Sequence, residues 1–500
     1  AVLALARQCR KRVCMRGTKH TMGGHTTSED AIVLDMSRLN RVLEVDADAM
    51  EARVEPGCTW GELIVALNRH GLSPRTMQSY CTFSIGGAVS VDAHGITTDE
   101  TLLDSVKRFT ILLADGRRVV CERDADGESG ELFALAIGGY GMFGVIVELT
   151  LKVVANYQLT LDVIRCTIDE FTPVYEGVLK RDDVDVKLAR VDLTNMREIT
   201  LFVYRRAAAH KTVSALDFEP RKMSMQNRIL YKWLLPSASE LRFAIERFTG
   251  QAVDWSDTAE RNILMYESAE PLAKMYSPQF NIDHTFVLQE YFVPMAACAA
   301  WLSGAAPLID ALKEEARAVA KDDERRHVIV TLLNITIRCV LKNTTTTLSY
   351  SRNADMFAFV LYYRVGRNKR SDERLAVMHQ QLTTLTLSLD GVFYLPYRHH
   401  YTSADMLTAY PALKEKFLPA KLRYDPSGMF TSQWYEHYCA PIAAELGGQR
   451  DAAAAATGDA SKPSAAADTT AVTAVTAATA DVAVVSERRT DSYEQIMRDV

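Results

Sequence analysis

Three glycine-rich turns, each set against a run of β-forming residues, constrain the N-terminal part of this chain more than any other feature. They are Arg16-Gly-Thr-Lys-His-Thr-Met-Gly-Gly24, Ser84-Ile-Gly-Gly-Ala-Val-Ser90 leading to His94-Gly95, and Gly138-Gly-Tyr-Gly-Met-Phe-Gly144. Glycine admits close backbone approach and positive φ, so such turns leave N–H groups free to face an anion. A plain surface turn is the alternative for any one of them; three in one domain weigh against it. None sits between strand and helix with Gly-x-Gly-x-x-Gly spacing and a distant acid, which disfavours a Rossmann dinucleotide site, and the lysine of a phosphate loop is absent.

The surrounding pattern predicts an α+β domain. Strands are expected at Ala31–Met36, Val42–Val45, Ala52–Val54, Phe109–Leu113, Arg118–Cys121 and Gly144–Val153, with helices at Thr59–His70 and Glu131–Ile137. Ala1–Arg16 reads as a short helix passing into a strand. From Asn156 to Asp390 the glycines thin out. Strands at Glu198–Tyr204, His284–Val293, Val328–Val340 and Phe357–Arg364 and a helix at Asp372–Leu387 predict an antiparallel sheet with flanking helices. The expected organisation is a first domain over 1–155, a second over 156–390, a segment over 391–440 with a helix at Ser403–Phe417, and a tail over 441–500. The stretch 452–485 is mostly Ala, Thr, Val and Asp, too poor in large apolar side chains to offset the entropy of ordering, so the tail is expected to be disordered, with a short helix at Asp491–Val500.

Charge and cysteine usage exclude several function classes. Lys and Arg total 57 against 63 Asp and Glu, a formal charge of -6, so nothing draws the chain toward nucleic acid. The nine cysteines are scattered, odd in number and without a Cys-x-x-Cys pair, which argues against a disulfide scaffold or a zinc site and fits a soluble protein of a reducing compartment, cytoplasmic or organellar. No run of 18 uncharged apolar residues is present, so no membrane-spanning helix is expected.

The collinear order of the first turn with Leu34-Asp-Met-Ser-Arg-Leu-Asn40, Pro56-Gly-Cys-Thr-Trp-Gly-Glu-Leu63, Ser84-Ile-Gly-Gly87, His94-Gly95, Ala114-Asp-Gly116, Leu132-Phe133 and Gly138–Val145 resembles the FAD-binding domain of the vanillyl-alcohol oxidase and p-cresol methylhydroxylase superfamily. Aldonolactone and alditol oxidases and the flavin subunit of decaprenylphosphoryl-ribose oxidase look nearest. Leu288–Pro294, Leu333-Asn334, Phe393-Tyr394 and Lys421–Phe430 are similar to the cap and C-terminal return of that group.

The resemblance implies a two-part FAD-binding domain, an antiparallel-sheet cap over the substrate, and a further strand–helix unit ahead of Ala1. It implies that Arg16, Gly17, Thr18, Lys19, His20, Thr21 and Met22, with Ser84, Gly86 and Gly87, wrap the FAD pyrophosphate, while Gly141, Gly144 and Ile146 lie against the cofactor and His94-Gly95 forms a wall of the flavin ring. His20 stands where many relatives attach the flavin covalently; it either does so here or is a hydrogen-bonding loop residue. Cys81 lies one place from the cysteine of bicovalent relatives and is read as structural.

Removing hydride from a CH–OH carbon needs a nearby group to take the hydroxyl proton, and Tyr394-Leu-Pro-Tyr-Arg-His-His-Tyr401 is the densest set of acid–base groups in the chain. Tyr397 or His400 is expected as that acceptor and Tyr394 as a substrate-positioning hydroxyl. The sugar-phosphate oxidase relatives carry a lysine where Tyr397 stands, which sets a polyprenyl-phosphate substrate apart. Gln289 and Tyr291 share one face of a strand and Glu290 the other. If the odd face meets the flavin, Gln289 and Tyr291 line the pocket and Glu290 is structural. Asn334 and Arg338 also share a face, where Arg338 either holds an anionic substrate or pairs with an acid. Arg398 and Lys421 either stabilise reduced flavin or are solvated charges. The expected activity is FAD-dependent oxidation of a CH–OH group of a sugar, alditol, lactone or related alcohol, with oxygen or another electron acceptor. A 2-hydroxy acid or CH–NH donor on the same fold, or a non-catalytic binding protein, are the alternatives.

Overall fold

The computed structural model describes residues 1–207, 258–267, 283–321 and 330–446. The tail expected to be disordered and the helix Asp491–Val500 lie outside the described residues.

The first unit has two parts. In the smaller, β1 (Arg12–Arg16) and β2 (Ala31–Asp35) pair in parallel, with Cys14 opposite Val33. Helix Val2–Gln8 adds Leu3 and Ala6 to a small core with Val13, Leu34, Met429 and Phe430. The C-terminal return closes this part: Val13 N–H donates to the Met429 carbonyl at 2.7 Å, and Thr431 N–H to the Val13 carbonyl at 3.0 Å. The larger part is an antiparallel sheet of β3 (Val42–Asp46), β4 (Glu51–Val54), β5 (Leu72–Pro74), β6 (Val106–Leu112), β7 (Arg118–Glu122) and β8 (Val145–Ala155), in the order β3-β4-β8-β6-β7 with β5 also on β8. Helix Trp60–Asn68 starts at a capping box between Thr59 and Glu62 and buries Trp60, Leu63, Ile64 and Leu67, the i, i+3, i+4, i+7 stripe of an amphipathic helix.

Among the described residues the cap sheet has eight strands: β9 (Gln158–Thr167), β10 (Val184–Val191), β11 (Glu198–Arg206), β12 (Thr258–Glu260), β13 (His284–Pro294), β14 (Val330–Val340), β15 (Met356–Gly366) and β16 (Val392–Phe393). Their order is β12-β9-β11-β10-β14-β15-β13-β16, and each pairing is antiparallel. Helices Ile168–Leu179, Cys298–Lys321 and Lys369–Leu387 cover one face. Trp301 stacks on Phe359 with centroids 4.1 Å apart, and Phe171 and Tyr175 meet Phe357, so the odd-numbered residues of β15 are committed to the helices. The even-numbered face is left for the FAD-binding unit.

Three expectations need correction. The second glycine-rich element is the short helix Ile85–Ser90, with Gly86 packed so closely on Pro56 that a Cβ there would sit 2.5 Å from the Pro56 Cβ. The helix expected over Ser403–Phe417 breaks after Ala409, because Pro411 removes a donor and biases Tyr410 away from helical ψ, and the chain resumes in a π-helical turn over Leu413–Phe417 that runs on into the helix Leu418–Tyr424. The four strands expected in the cap are β11, β13, β14 and β15; β9 and β10 escape the pattern because their alternation is weak or, in β10, nearly continuous, and β12 and β16 because they are only three and two residues long.

Met295–Ala318 is long and apolar enough to cross a membrane by composition alone. Here it is amphipathic: Trp301, Leu302, Ala305, Ile309 and Leu312 are buried, while Asp310, Glu314 and Arg317 face outward. All nine cysteines are free, and seven are buried, Cys81 among them.

Candidate active site

The first glycine turn follows β1 directly and is pinned on two sides. Thr18 Oγ1 accepts from the Ser84 N–H at 3.1 Å, and Met22 N–H donates to the Pro396 carbonyl at 2.8 Å. A Cβ on Gly17 would fall 2.2 Å from Ser84 Oγ, and one on Gly23 would fall 2.5 Å from both His399 Nε2 and the Tyr397 carbonyl. A side chain at either position would clash, so the turn lies close against Ser84 on one side and the C-terminal return on the other. No acceptor among the described residues takes the N–H groups of Gly17 to Thr21, and Thr21 Oγ1 is buried without a partner. Lys19 and His20 are exposed there, Lys19 at φ +61°. His20 leans on Phe83, centroids 4.2 Å apart, with Nε2 3.4 Å from Thr82 Oγ1. Desolvation by these neighbours lowers its pKa to about 4 even though the ring is open to solvent on one side, so the imidazole is neutral at pH 7.

The third glycine turn packs on the helix of the second: Gly138 N–H reaches the Val89 carbonyl and Tyr140 N–H the Ser90 carbonyl. A Cβ on Gly141 would meet Met15 at 2.9 Å. Gly144 lies against the backbone of Leu112, and Ile146 pairs with Ile111 in the β6–β8 ladder. The second element thus touches both the first turn, at Ser84, and the third, at Val89 and Ser90.

His94 emerges from the second element into the junction with the cap. It is buried, with Nε2 2.6 Å from Glu290 Oε1. Two tyrosines fix the segment before it: Tyr394 OH donates to the Val91 carbonyl at 3.0 Å and Tyr350 OH to the Asp92 carbonyl. The Asp92 carboxyl accepts from Leu103 N–H and the Asn343 amide, tying the first unit to the cap, and burial lifts its pKa to about 7.

Strand parity is as read, with the faces exchanged. Gln289 and Tyr291 do share a face, and it is the helix-covered one: Tyr291 OH donates to the His379 carbonyl at 3.1 Å and its ring meets Trp301. Glu290 enters the junction instead. Parity alone carries no information about which face a helix layer covers. Asn334, Thr336 and Arg338 alternate as half-buried residues on the same side of the sheet as Glu290, and Arg338 donates to Ser79 Oγ at 2.9 Å.

The crowded segment 394–401 fans out in three directions. Burial first, then the charge of Glu290, drive the Tyr397 phenol pKa well above its ordinary value, with Arg338 opposing. His399 packs with His25, His437 and Tyr438 under Gly23. His400 shares an Nδ1–Nδ1 contact of 2.8 Å with His379, on the helix side of the cap. Tyr394 spends its hydroxyl on the Val91 carbonyl. Lys421 is not a solvated charge: it is buried, bonded to Asp425 and to the Phe430 carbonyl. Arg398 pairs with Asp372. Glu290, Ser79 and Asp92 were not singled out as site residues; the one signal for Glu290 was an acid inside an otherwise apolar strand.

His399 and His400 predict an acid limb in stability. Burial depresses both imidazoles from 6.5 to about 4. Between those pH values the unfolded chain binds more protons, so stability is complete above about pH 6.5 and falls as the pH drops toward 4. Thermal melts from pH 8 to 4 should show this, with a shallower fall in His400→Gln.

Residues 1–122 match the family described as FAD binding domain, and residues 150–438 match the family described as D-arabinono-1,4-lactone oxidase. The chain belongs to the D-arabinono-1,4-lactone oxidase family. Its first unit is the FAD-binding domain of the superfamily named above, so FAD is its cofactor. L-gulonolactone oxidase from Bos taurus is 30% identical over 187 residues, 36% of this chain and 41% of that protein. Decaprenylphosphoryl-beta-D-ribose oxidase from Mycolicibacterium smegmatis is 27% identical over 154 residues, 30% of this chain and 33% of that protein. The matches span about two fifths or less of the length of these curated relatives. The crystal structure of 6-hydroxy-D-nicotine oxidase from Arthrobacter nicotinovorans shares the fold, with TM-score 0.56 and 18% identity over 86% of this chain and 87% of that one. The residues present fit the cofactor: the bare backbone from Gly17 to Thr21, the unpartnered Thr21 hydroxyl and exposed Lys19 together suit a pyrophosphate.

Proposed function

We propose that this protein is an FAD-dependent oxidoreductase that oxidises a CH–OH group of an aldonolactone or related sugar alcohol, with oxygen or another small acceptor taking the electrons. The observation that carries this reading is the junction where Gly23 of the first glycine turn lies against the Tyr397 backbone, His94 beyond the second meets Glu290, and Arg338 of the cap reaches Ser79. Bound FAD supplies the hydride-accepting chemistry. The backbone of Gly17–Thr21 and Ser84–Gly87 would hold its pyrophosphate, with Gly141–Ile146 and His94-Gly95 beside it. Arg338 and Ser79 orient substrate oxygens, and Tyr397 stands ready for the hydroxyl proton. A polyol, lactone and 2-hydroxy-acid panel scored by anaerobic bleaching of the flavin tests the reading. Bleaching by a lactone or polyol supports it, bleaching by hydroxy acids alone redirects it, and a folded protein that cannot take up FAD refutes it.

His20 is proposed as the attachment point of the flavin. Its neutral imidazole and its place on the exposed turn suit bond formation. Acid precipitation is expected to leave the flavin with the unmodified protein and to release it from His20→Ala, which still binds FAD through the turns. Full release from the unmodified protein would remove the covalent bond from the proposal and leave FAD binding intact.

A further inference from the structure

Asp92 is an acid in a place that makes it costly. It is 3% exposed, its backbone is left-handed at φ +44°, and among the described residues no Lys or Arg pairs with it. A side chain in that conformation, like a buried carboxylate without a cation, persists where its surroundings require it. Both units converge on this one. From the FAD-binding unit, Leu103 N–H donates to Oδ1 at 3.0 Å, and a Cβ on Gly138 of the third glycine turn would meet the Asp92 Cβ at 3.2 Å. From the cap, in the connection between β14 and β15, Asn343 Nδ2 donates to Oδ2 at 3.1 Å and Thr346 Oγ1 lies 3.4 Å from it. Asn343 Oδ1 accepts from the Thr345 and Thr346 N–H groups, which turns its NH2 toward Asp92. The same connection sends the Tyr350 hydroxyl to the Asp92 carbonyl and the Thr347 N–H to the Ala134 carbonyl at 3.0 Å. Residues 343–350 of the cap thus grip the segment that carries His94, and Asp92 is the point of grip.

The charged and titratable groups around it offer no counter-ion. The helix Leu102–Ser105 brings Asp104, which pairs with Arg123 and repels a charge on Asp92. The third turn brings the Tyr140 phenol and the cap connection the Tyr350 phenol, both buried, and no charged residue stands between Asn343 and Ser351. On its own segment, His94 is bonded to Glu290.

We propose that Asp92 is a proton-controlled latch: as a neutral acid it holds residues 343–350 of the cap on the His94 segment, and as an anion it lets them part. In the neutral form Oδ2–H donates to Thr346 Oγ1 while Oδ1 keeps the Leu103 N–H. In the anionic form a charge is held away from water, and parting of the connection rehydrates it. Burial raises the carboxyl from its ordinary 3.8 to about 7, so between those values the closed state binds a proton that the open state has lost. Closure is therefore tightest below about pH 4, weakens as the pH rises toward 7 and is level above it. Asp92 is a positioning residue, acting through the placement of His94 and not on the reacting atoms.

Two measurements on the flavin-loaded protein, neither needing a substrate, test this. Infrared titration should show a carboxylic-acid band that fades near pH 7 and that D92N lacks; asparagine tolerates the left-handed backbone and still accepts the Leu103 N–H. Hydrogen exchange, expressed as protection relative to the free peptide, should fall over residues 343–350 by up to about tenfold per pH unit from pH 5 to 7 and level off by pH 8. The same residues in D92N should show no such fall. T346V, which removes the acceptor of the neutral acid and leaves Asp92 in place, should lower protection at pH 5 more than at pH 8. The latch is overturned if no titrating acid band is lost in D92N, or if protection over 343–350 is flat in the unmodified protein or keeps its pH dependence in D92N. A fall confined to residues 101–105 also overturns it, because the proton would then serve the FAD-binding unit alone. So does an equal fall in the distant helix Trp60–Asn68, which would be global unfolding.

Discussion

A Tyr397→Phe protein is expected to keep its flavin and to reduce it about 100-fold to 10,000-fold more slowly than the unmodified protein. The substitution removes one oxygen and keeps the ring, so the edge-on contact with Tyr394, centroids 5.6 Å apart, survives. What is lost is the hydroxyl, the acid–base group of the side chain, whose pKa is raised by burial and by the charge of Glu290. Stopped-flow mixing with substrate under nitrogen reads the effect directly, because reoxidation is absent. The loss should appear in the limiting rate and much less in the substrate concentration at half-saturation, since a proton path serves the transition state and not binding. An unchanged limiting rate would take Tyr397 out of the chemistry. His400→Gln is the companion variant: an equal loss there would point to a packing change shared by the segment, because His400 is bonded to His379 and not to Glu290.

Replacing Lys421 by Met should destabilise the fold by about 3–5 kcal/mol. Both members of the Lys421–Asp425 pair are essentially inaccessible, with side-chain exposures of 1% and 0%. Lys421 also donates to the Phe430 carbonyl at 2.9 Å, and Asp425 accepts from the Met429 and Phe430 N–H groups at 2.9 and 2.8 Å. Removing the ammonium leaves a buried carboxylate without a cation. The consequence reaches the cofactor site through the backbone, because Met429 and Thr431 bond to Val13 at the heart of β1, and the first glycine turn follows β1. Urea unfolding followed by circular dichroism gives the stability change, and FAD retention on dilution gives the effect on the site. Adding Asp425→Leu should recover part of the stability and not all of it, since the two N–H groups would then lack their acceptor. A Lys421→Met protein as stable as the parent would contradict the placement of this pair in the core.

Sequence alone determined the elements whose signal is local. The glycine turns, the capped amphipathic helix Trp60–Asn68 and the strands β2 to β4 and β6 to β8 are written in composition and period, because turn geometry, capping and hydrophobic alternation act over a few residues. The alternation of Gln289, Glu290 and Tyr291 was equally legible, since the side-chain period of a strand is fixed at two. Which of the two faces met the FAD-binding unit was decided only when the helices Cys298–Lys321 and Lys369–Leu387 packed on Tyr291, Phe359 and Tyr363, an arrangement spanning about a hundred residues of chain. The same holds for Tyr394, Tyr397, His399 and His400: their crowding is a fact of sequence, and their separation into a backbone clamp, a ring packed on Tyr394, a member of the His25 cluster and a partner of His379 is a fact of packing. Pro396 interrupts any regular period there, so the direction of each side chain is set by whichever distant surface it meets.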